Sequence, residues 1–212
     1  PLESTDNQLL NNFGLKENQY FMMCARLVRH KGAHVLIDAW KRLKKLRPDL
    51  TQDIKLAIVG GSAFTDDYVK EIEELAHGDE SIVLTGNQIG EELHALFSGS
   101  YANIHPSESE GLPIAVLEAM SYGNCVLSSD IPENLELTNK HGISFRTGSI
   151  KDLVEKMIML LEYPEEVKVV GKESREYVSL HYDWKDIAEK TLHLYEYLDF
   201  QPCLEEVKNT RN

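Results

Sequence analysis

The chain has 212 residues, 42% of them hydrophobic, which suits one well-buried core at the upper end of single-domain size. Its formal net charge of -13 argues against nucleic acid and anionic membrane as partners, so an anionic ligand would need a local cluster of cations. No stretch of about 18 uncharged apolar residues predicts a transmembrane helix, and "PLESTDNQLL" lacks the basic start and apolar centre of a signal peptide.

Residues 1–18 are polar and weakly patterned and read as a tail or linker. "YFMMCA" (20–25) predicts a buried strand, and 31–47 has helical periodicity with Pro48 just beyond it. "IKLAIVG" (54–60) is a second strand, followed by the Gly60-Gly61 turn and a helix near 66–77. "IVLTG" (82–86) and "YANIH" (101–105) are the third and fourth strands, separated by the short helix "EELHALFSG". A helix begins at Pro113, where a missing donor costs nothing. "CVLSS" (125–129) and "GISFR" (142–146) complete six strands, and 149–162, 164–180 and 183–198 are helical. Residues 199–212 read as a second tail. Strands alternating with helices predict an α/β fold: a single Rossmann-like domain, with a parallel sheet of about six strands, helices on both faces and a helical C-terminal region. In such sheets ligands bind beyond the strand carboxyl ends, at a switch in strand order.

Three scattered cysteines, Cys24, Cys125 and Cys203, suggest reduced thiols of a cytoplasmic protein, not a disulfide frame or zinc site. In "ARLVRHKG", Arg26 leaves the first strand while Lys31 and Gly32 open the next helix, whose free amides favour an anion. A planar guanidinium beside a flexible ammonium suits a diphosphate; the alternative is a pair of solvated surface cations. In "SESEGLPIAVLEAM" (107–120), Glu110 lies in a loop and Glu118 interrupts an apolar helical run. The Gly111, Leu112 and Ile114 amides would face the same crevice as Arg26. Glu118 is placed to accept from paired hydroxyls such as a sugar diol, against the alternative of a salt bridge to a buried cation. Glu110 is otherwise an ordinary loop carboxylate. Gly60-Gly61 lacks the GxGxxG fingerprint and the Walker lysine, and reads as a tight turn with room for a ligand nearby. His105 reads as a structural histidine more than a crevice one. Histidine spacing gives no metal site, and no Asp-x-Asp occurs to hold a divalent ion on a nucleotide.

The ordered set "ARLVRHKGAHVLIDAW", "KLAIVGG", "IVLTGNQ" and "HPSESEGLPIAVLEAMSYG" resembles the carboxyl-terminal domain of group 1 glycosyltransferases, the retaining family four with the GT-B fold. The resemblance covers about residues 5–198, and its most specific element is the E-x7-E pair Glu110 and Glu118 with Arg26 and Lys31 upstream. It implies a nucleotide-sugar-binding domain over 19–198, preceded by an interdomain linker. Arg26 and Lys31 would hold the diphosphate and assist its departure, and Glu110 would contact the donor sugar, making these three the catalytic candidates. Glu118 would accept from the ribose. Gly61, Gly111 and Leu112 would lie at the donor, with Gly86, Asn87 and Gln88 lining the base pocket. The implied activity moves a hexose-type sugar from a UDP- or GDP-type donor with retention, for polysaccharide or glycoconjugate synthesis, without metal or cofactor. The family's other, acceptor-binding domain is absent from this chain, which therefore reads as an excised or naturally separate half. Ala25 for glycine, Asn124-Cys125 where proline is usual, and the long "GGSAFTDD" loop depart from the family pattern. A non-catalytic nucleotide-sugar-binding subunit and an epimerase half are the alternatives.

Overall fold

The structure, a computed structural model, describes residues 6–138 and 140–197. Helix α1 (Asn7–Asn12) is capped by the Asp6 carboxylate, which accepts from the Gln8 and Leu9 amides. Strand β1 (Tyr20–Cys24) leads through a 3-10 turn at Arg29–Lys31 into α2 (Ala33–Leu46). There follow α3 (Pro48–Thr51), β2 (Lys55–Val59), α4 (Asp66–Ala76), β3 (Ile82–Gly86), α5 (Gly90–Gly99), β4 (Ala102–His105) and α6 (Ile114–Ser121). The order closes with β5 (Cys125–Ser129), α7 (Pro132–Thr138), β6 (Ile143–Phe145), α8 (Ile150–Glu162), α9 (Pro164–His181) and α10 (Trp184–Tyr197).

All described strand pairs are parallel, in the order β3-β2-β1-β4-β5-β6. The inner strands bury both faces, so alternate residues enter different cores. Phe21, Met23, Leu56 and Ile58 pack with α2, α4 and α8. Tyr20, Met22, Ala57 and Val59 pack with α1, α5, α6 and α9. Order reverses between β1 and β4, and ligands of sheets of this kind bind beyond the strand ends at such a switch.

The segment read as a linker is in part built into the domain. Leu10 and Leu15 are fully buried against the α5 side, and the Asn18 amide donates to the Gly99 carbonyl at 2.8 Å. Two lone leucines in a polar run carry too little periodicity to be read as a packed helix. Asn124, unexpected by the family pattern, is buried and donates to the Phe97 and Ala119 carbonyls at 3.0 and 3.2 Å, tying the ends of α5 and α6. The predicted helix end at residue 198, the 199–212 tail and Cys203 lie outside the described residues.

Candidate functional site

Close backbone approaches assemble the crevice. Gly60 follows β2 at φ 147°, and a Cβ there would lie 1.8 Å from the Ala25 carbonyl oxygen. The Leu27 amide donates to the Gly61 carbonyl at 2.9 Å and the Gly60 amide to the Gly86 carbonyl at 2.9 Å, which ties together the loops after β1, β2 and β3. On the other side, Gly32 caps α2 at φ 78°, where a Cβ would lie 2.4 Å from the Pro106 carbonyl oxygen. The Glu108 amide donates to the His30 carbonyl at 2.8 Å. The loops after β1 and β4 are thus stapled, and they bring Lys31 to Glu110.

The Lys31 ammonium donates to Glu110 Oε1 at 2.5 Å, with side chains only 14% and 4% exposed. His105 Nε2 lies 2.7 Å from the same oxygen, and the Ser107 hydroxyl 3.1 Å from His105 Nε2. Burial pushes the Glu110 pKa up, but hydrogen bonds from His105, Lys31 and Ser107 outweigh it and hold the carboxyl at about 2. Two readings are corrected here. Glu110 is not an ordinary loop carboxylate, and Lys31 is neither a solvated surface cation nor the opening of α2, since it ends the 3-10 turn before Gly32. His105 is the buried, hydrogen-bonded histidine expected, and its partner is Glu110.

A depressed carboxyl stabilises the fold above its unfolded pKa, and that contribution is lost as pH falls through the folded value. Glu110 should therefore supply about 3 kcal/mol that disappears between about pH 4.5 and 2. Chemical denaturation across that range should show a steeper acid loss in the parent protein than in Glu110→Gln; parallel curves would refute the assignment.

Arg26 is exposed at the end of β1, with no side-chain bond or ion pair among the described residues. Gly61 faces Asn87, whose Cβ lies 3.5 Å from where a Gly61 Cβ would be. Gly86 adopts φ 71°, Asn87 is exposed, and Gln88 Nε2 donates to the Thr85 carbonyl at 2.6 Å. Gly111 and Leu112 are exposed with open amides, but the Ile114 amide is taken by the Leu112 carbonyl at 2.9 Å, so it is not a donor to the crevice as expected.

Glu118 stands apart. It is half-buried on α6 and has no ion pair within the described residues. Burial raises its pKa, which the nearby His94 partly offsets. The salt-bridge alternative therefore fails. Because the folded pKa is raised, the ionised form costs stability once pH exceeds the ordinary glutamate value. Glu118→Gln should melt at or above the parent temperature at pH 7, with the difference vanishing near pH 4. A loss of about 3 kcal/mol at pH 7 would indicate a broken buried ion pair instead. Glu118 and Leu112 also line a mostly apolar groove of about 320 Å³ with Leu117, Val178, Tyr182 and Trp184. Arg26, Lys31 and Glu110 do not line it, so the charged crevice is the better candidate for an anionic ligand.

Burial raises the thiols of Cys24 and Cys125 to about 12, which leaves them unreactive at neutral pH. Among the described residues no cluster of three or more His, Cys, Asp or Glu is arranged to hold a metal, and no helix is long and apolar enough to cross a membrane.

A parallel sheet with charged groups gathered at its order switch defines a Rossmann-like ligand-binding domain. The family of "Glycosyl transferases group 1" matches residues 7–177, and the chain belongs to that family. It is 32% identical over 171 residues to the sulfoquinovosyl transferase SQD2 of Arabidopsis thaliana, covering 77% of this chain and 32% of that protein. It is 27% identical over 198 residues to the N,N'-diacetylbacillosaminyl-diphospho-undecaprenol alpha-1,3-N-acetylgalactosaminyltransferase of Campylobacter jejuni, covering 92% and 49%. The fold superposes with TM-score 0.81 on Anabaena Alr3699/HepE in complex with UDP-glucose, at 20% identity over 91% of this chain and 52% of that one. It superposes with TM-score 0.73 on the isolated C-terminal domain of the group 1 protein LpcC of Francisella tularensis, at 19% identity over 87% and 95%. The chain thus spans a third to a half of the two curated relatives.

Proposed function

We propose that this chain is the donor-binding half of a retaining glycosyltransferase that moves a hexose-type sugar from a nucleoside diphosphate sugar. The observation that carries this reading is the crevice itself. In a protein of net charge -13, Arg26, exposed and without an ion pair among the described residues, follows β1 a few residues before Lys31, and Lys31 holds a buried, ionised Glu110. The diphosphate would take Arg26 and Lys31, whose charges stabilise it as leaving group. Glu110 accepts from the sugar hydroxyls. Glu118, costly as an unpaired carboxylate, gains its partners from the ribose diol. The base lies over Gly86, Asn87 and Gln88, and Gly61 leaves room for the phosphates. The open amides of Gly111 and Leu112 face the donor.

The two cations make a divalent ion unnecessary for binding. The acceptor site belongs to a further domain of the kind for which the longer relatives have room, so this chain alone binds donor but transfers sugar poorly. We place it in the cytoplasm, where such donors are made. Calorimetric titration of UDP, GDP and ADP, each with and without EDTA, tests the reading. At least one should bind, with unchanged affinity under chelation; loss of all binding on chelation counts against the cation clamp.

A further inference from the structure

Glu110 is held from behind as well as from the crevice. Lys31 comes from the loop after β1, on the side where the diphosphate is placed. His105 comes from the end of β4 and is itself buried, as are Ser107, Ser129 and Asn134. An ionised carboxylate only accepts, so the proton shared between Glu110 Oε1 and His105 Nε2 sits on the nitrogen. Ser107 cannot donate to a protonated Nε2, so its hydroxyl hydrogen turns to the Glu110 carboxylate. Ser107 is fixed in turn, because its carbonyl accepts from the Ser129 hydroxyl. Asn134 Nδ2, from α7, donates to Ser129 Oγ at 2.9 Å and to the Ser129 carbonyl at 3.2 Å. The Asn134 carbonyl accepts from Thr138 Oγ1 at 2.8 Å. A continuous polar chain therefore runs from α7 through the end of β5 to the crevice carboxylate, through side chains that solvent barely reaches.

We propose that His105 is the positioning residue for Glu110, and that Ser107, Ser129 and Asn134 hold His105 and its loop in register. The inference rests on the donor-binding reading and adds to it. Lys31 cannot give its full attraction to a diphosphate and to Glu110 at once. When the ligand draws Lys31 away, His105 keeps the carboxylate ionised and aimed. Glu110 then meets the sugar as a pure acceptor, so the group it recognises must be a donor such as a hydroxyl.

The test uses the whole chain and two variants, His105→Leu, which keeps bulk but removes the donor, and His105→Gln, which returns an N–H at nearly the same place. Ser129→Ala is added as a milder probe that remains informative if His105→Leu does not fold. Two readouts separate positioning from general damage. The first is the carboxyl titration of Glu110, followed by carbon NMR on glutamate-labelled protein and assigned with Glu110→Gln. The second is the affinity ratio between UDP-glucose and UDP, and between GDP-mannose and GDP. His105→Leu should raise the Glu110 midpoint by about one unit or more. It should cut sugar-donor affinity about tenfold while leaving the diphosphate within about threefold. His105→Gln should restore both, and Ser129→Ala should move both part of the way. A folded His105→Leu with midpoint and ratio unchanged overturns the proposal, as does equal loss of both ligands. If the parent protein binds none of the four probes, the donor reading falls, while the ligand-free titration still decides whether His105 holds Glu110.

Discussion

Lys31→Met should lower the stability of the ligand-free protein by about 3 kcal/mol, whereas Arg26→Ala should change it by less than about 0.5 kcal/mol. The two cations serve one proposed ligand but stand in opposite environments. Arg26 is exposed and has no partner among the described residues, so its loss strands none of them. Lys31 is paired with a carboxylate that is only 4% exposed, and removing one member of a buried pair leaves the other charged without its counter-ion. For a domain of this size the cost corresponds to a fall in melting temperature of about 6 to 12 °C. Adding Glu110→Gln to Lys31→Met should recover most of the loss, since the orphaned charge is then gone. Diphosphate affinity should drop in both single variants, by about 1.5 to 3 kcal/mol for each lost charged partner. Melting curves and calorimetry on the four proteins check this. Equal stability for Lys31→Met and Arg26→Ala would mean the Lys31–Glu110 contact is a loose surface pair.

Gly60→Ala should be nearly as damaging, although no charge is touched. At φ 147° an L side chain is strained, and its Cβ would stand 1.8 Å from the Ala25 carbonyl oxygen. The neighbour is backbone, so relief requires the β1–α2 and β2–α4 loops to part. That separation breaks the Leu27–Gly61 hydrogen bond and carries Arg26, next to Ala25, out of place. The expected cost is about 3 kcal/mol in stability, together with weakened diphosphate binding. Gly61→Ala meets Asn87 at ordinary van der Waals distance, 3.5 Å from its Cβ and 3.9 Å from its backbone nitrogen, and should fold normally. A Gly60→Ala protein with parental melting temperature and affinity would show that the loops are not clamped there.

The sheet was readable because its inner strands are buried on both faces, which leaves short, nearly continuous apolar runs such as "FMMC" and "LAIV" between polar helices. Helices α1, α3 and α7 leave no clear signal in the sequence pattern. All three are short, and two rest on tertiary contacts: α1 through Leu10 under α5, and α7 through Asn134 on Ser129. Glu118 is legible from its apolar neighbours, and among the described residues it has no ionic partner. Glu110 was singled out for its loop, but its burial was not, because the residue that neutralises it is 79 positions away. His105 offered one local signal, a histidine closing a strand five residues before that glutamate. Spacing alone could not show that both turn to the same point.

Amide-resolved NMR during titration with UDP or GDP tests most directly whether the charged crevice takes the diphosphate. Shifts should concentrate at Arg26, Lys31, Gly61, Gly86 to Gln88, Gly111 and Leu112, with Arg26→Ala weakening the response. Shifts confined to Leu117, Val178, Tyr182 and Trp184 would place the ligand in the apolar groove and contradict the crevice as the donor site.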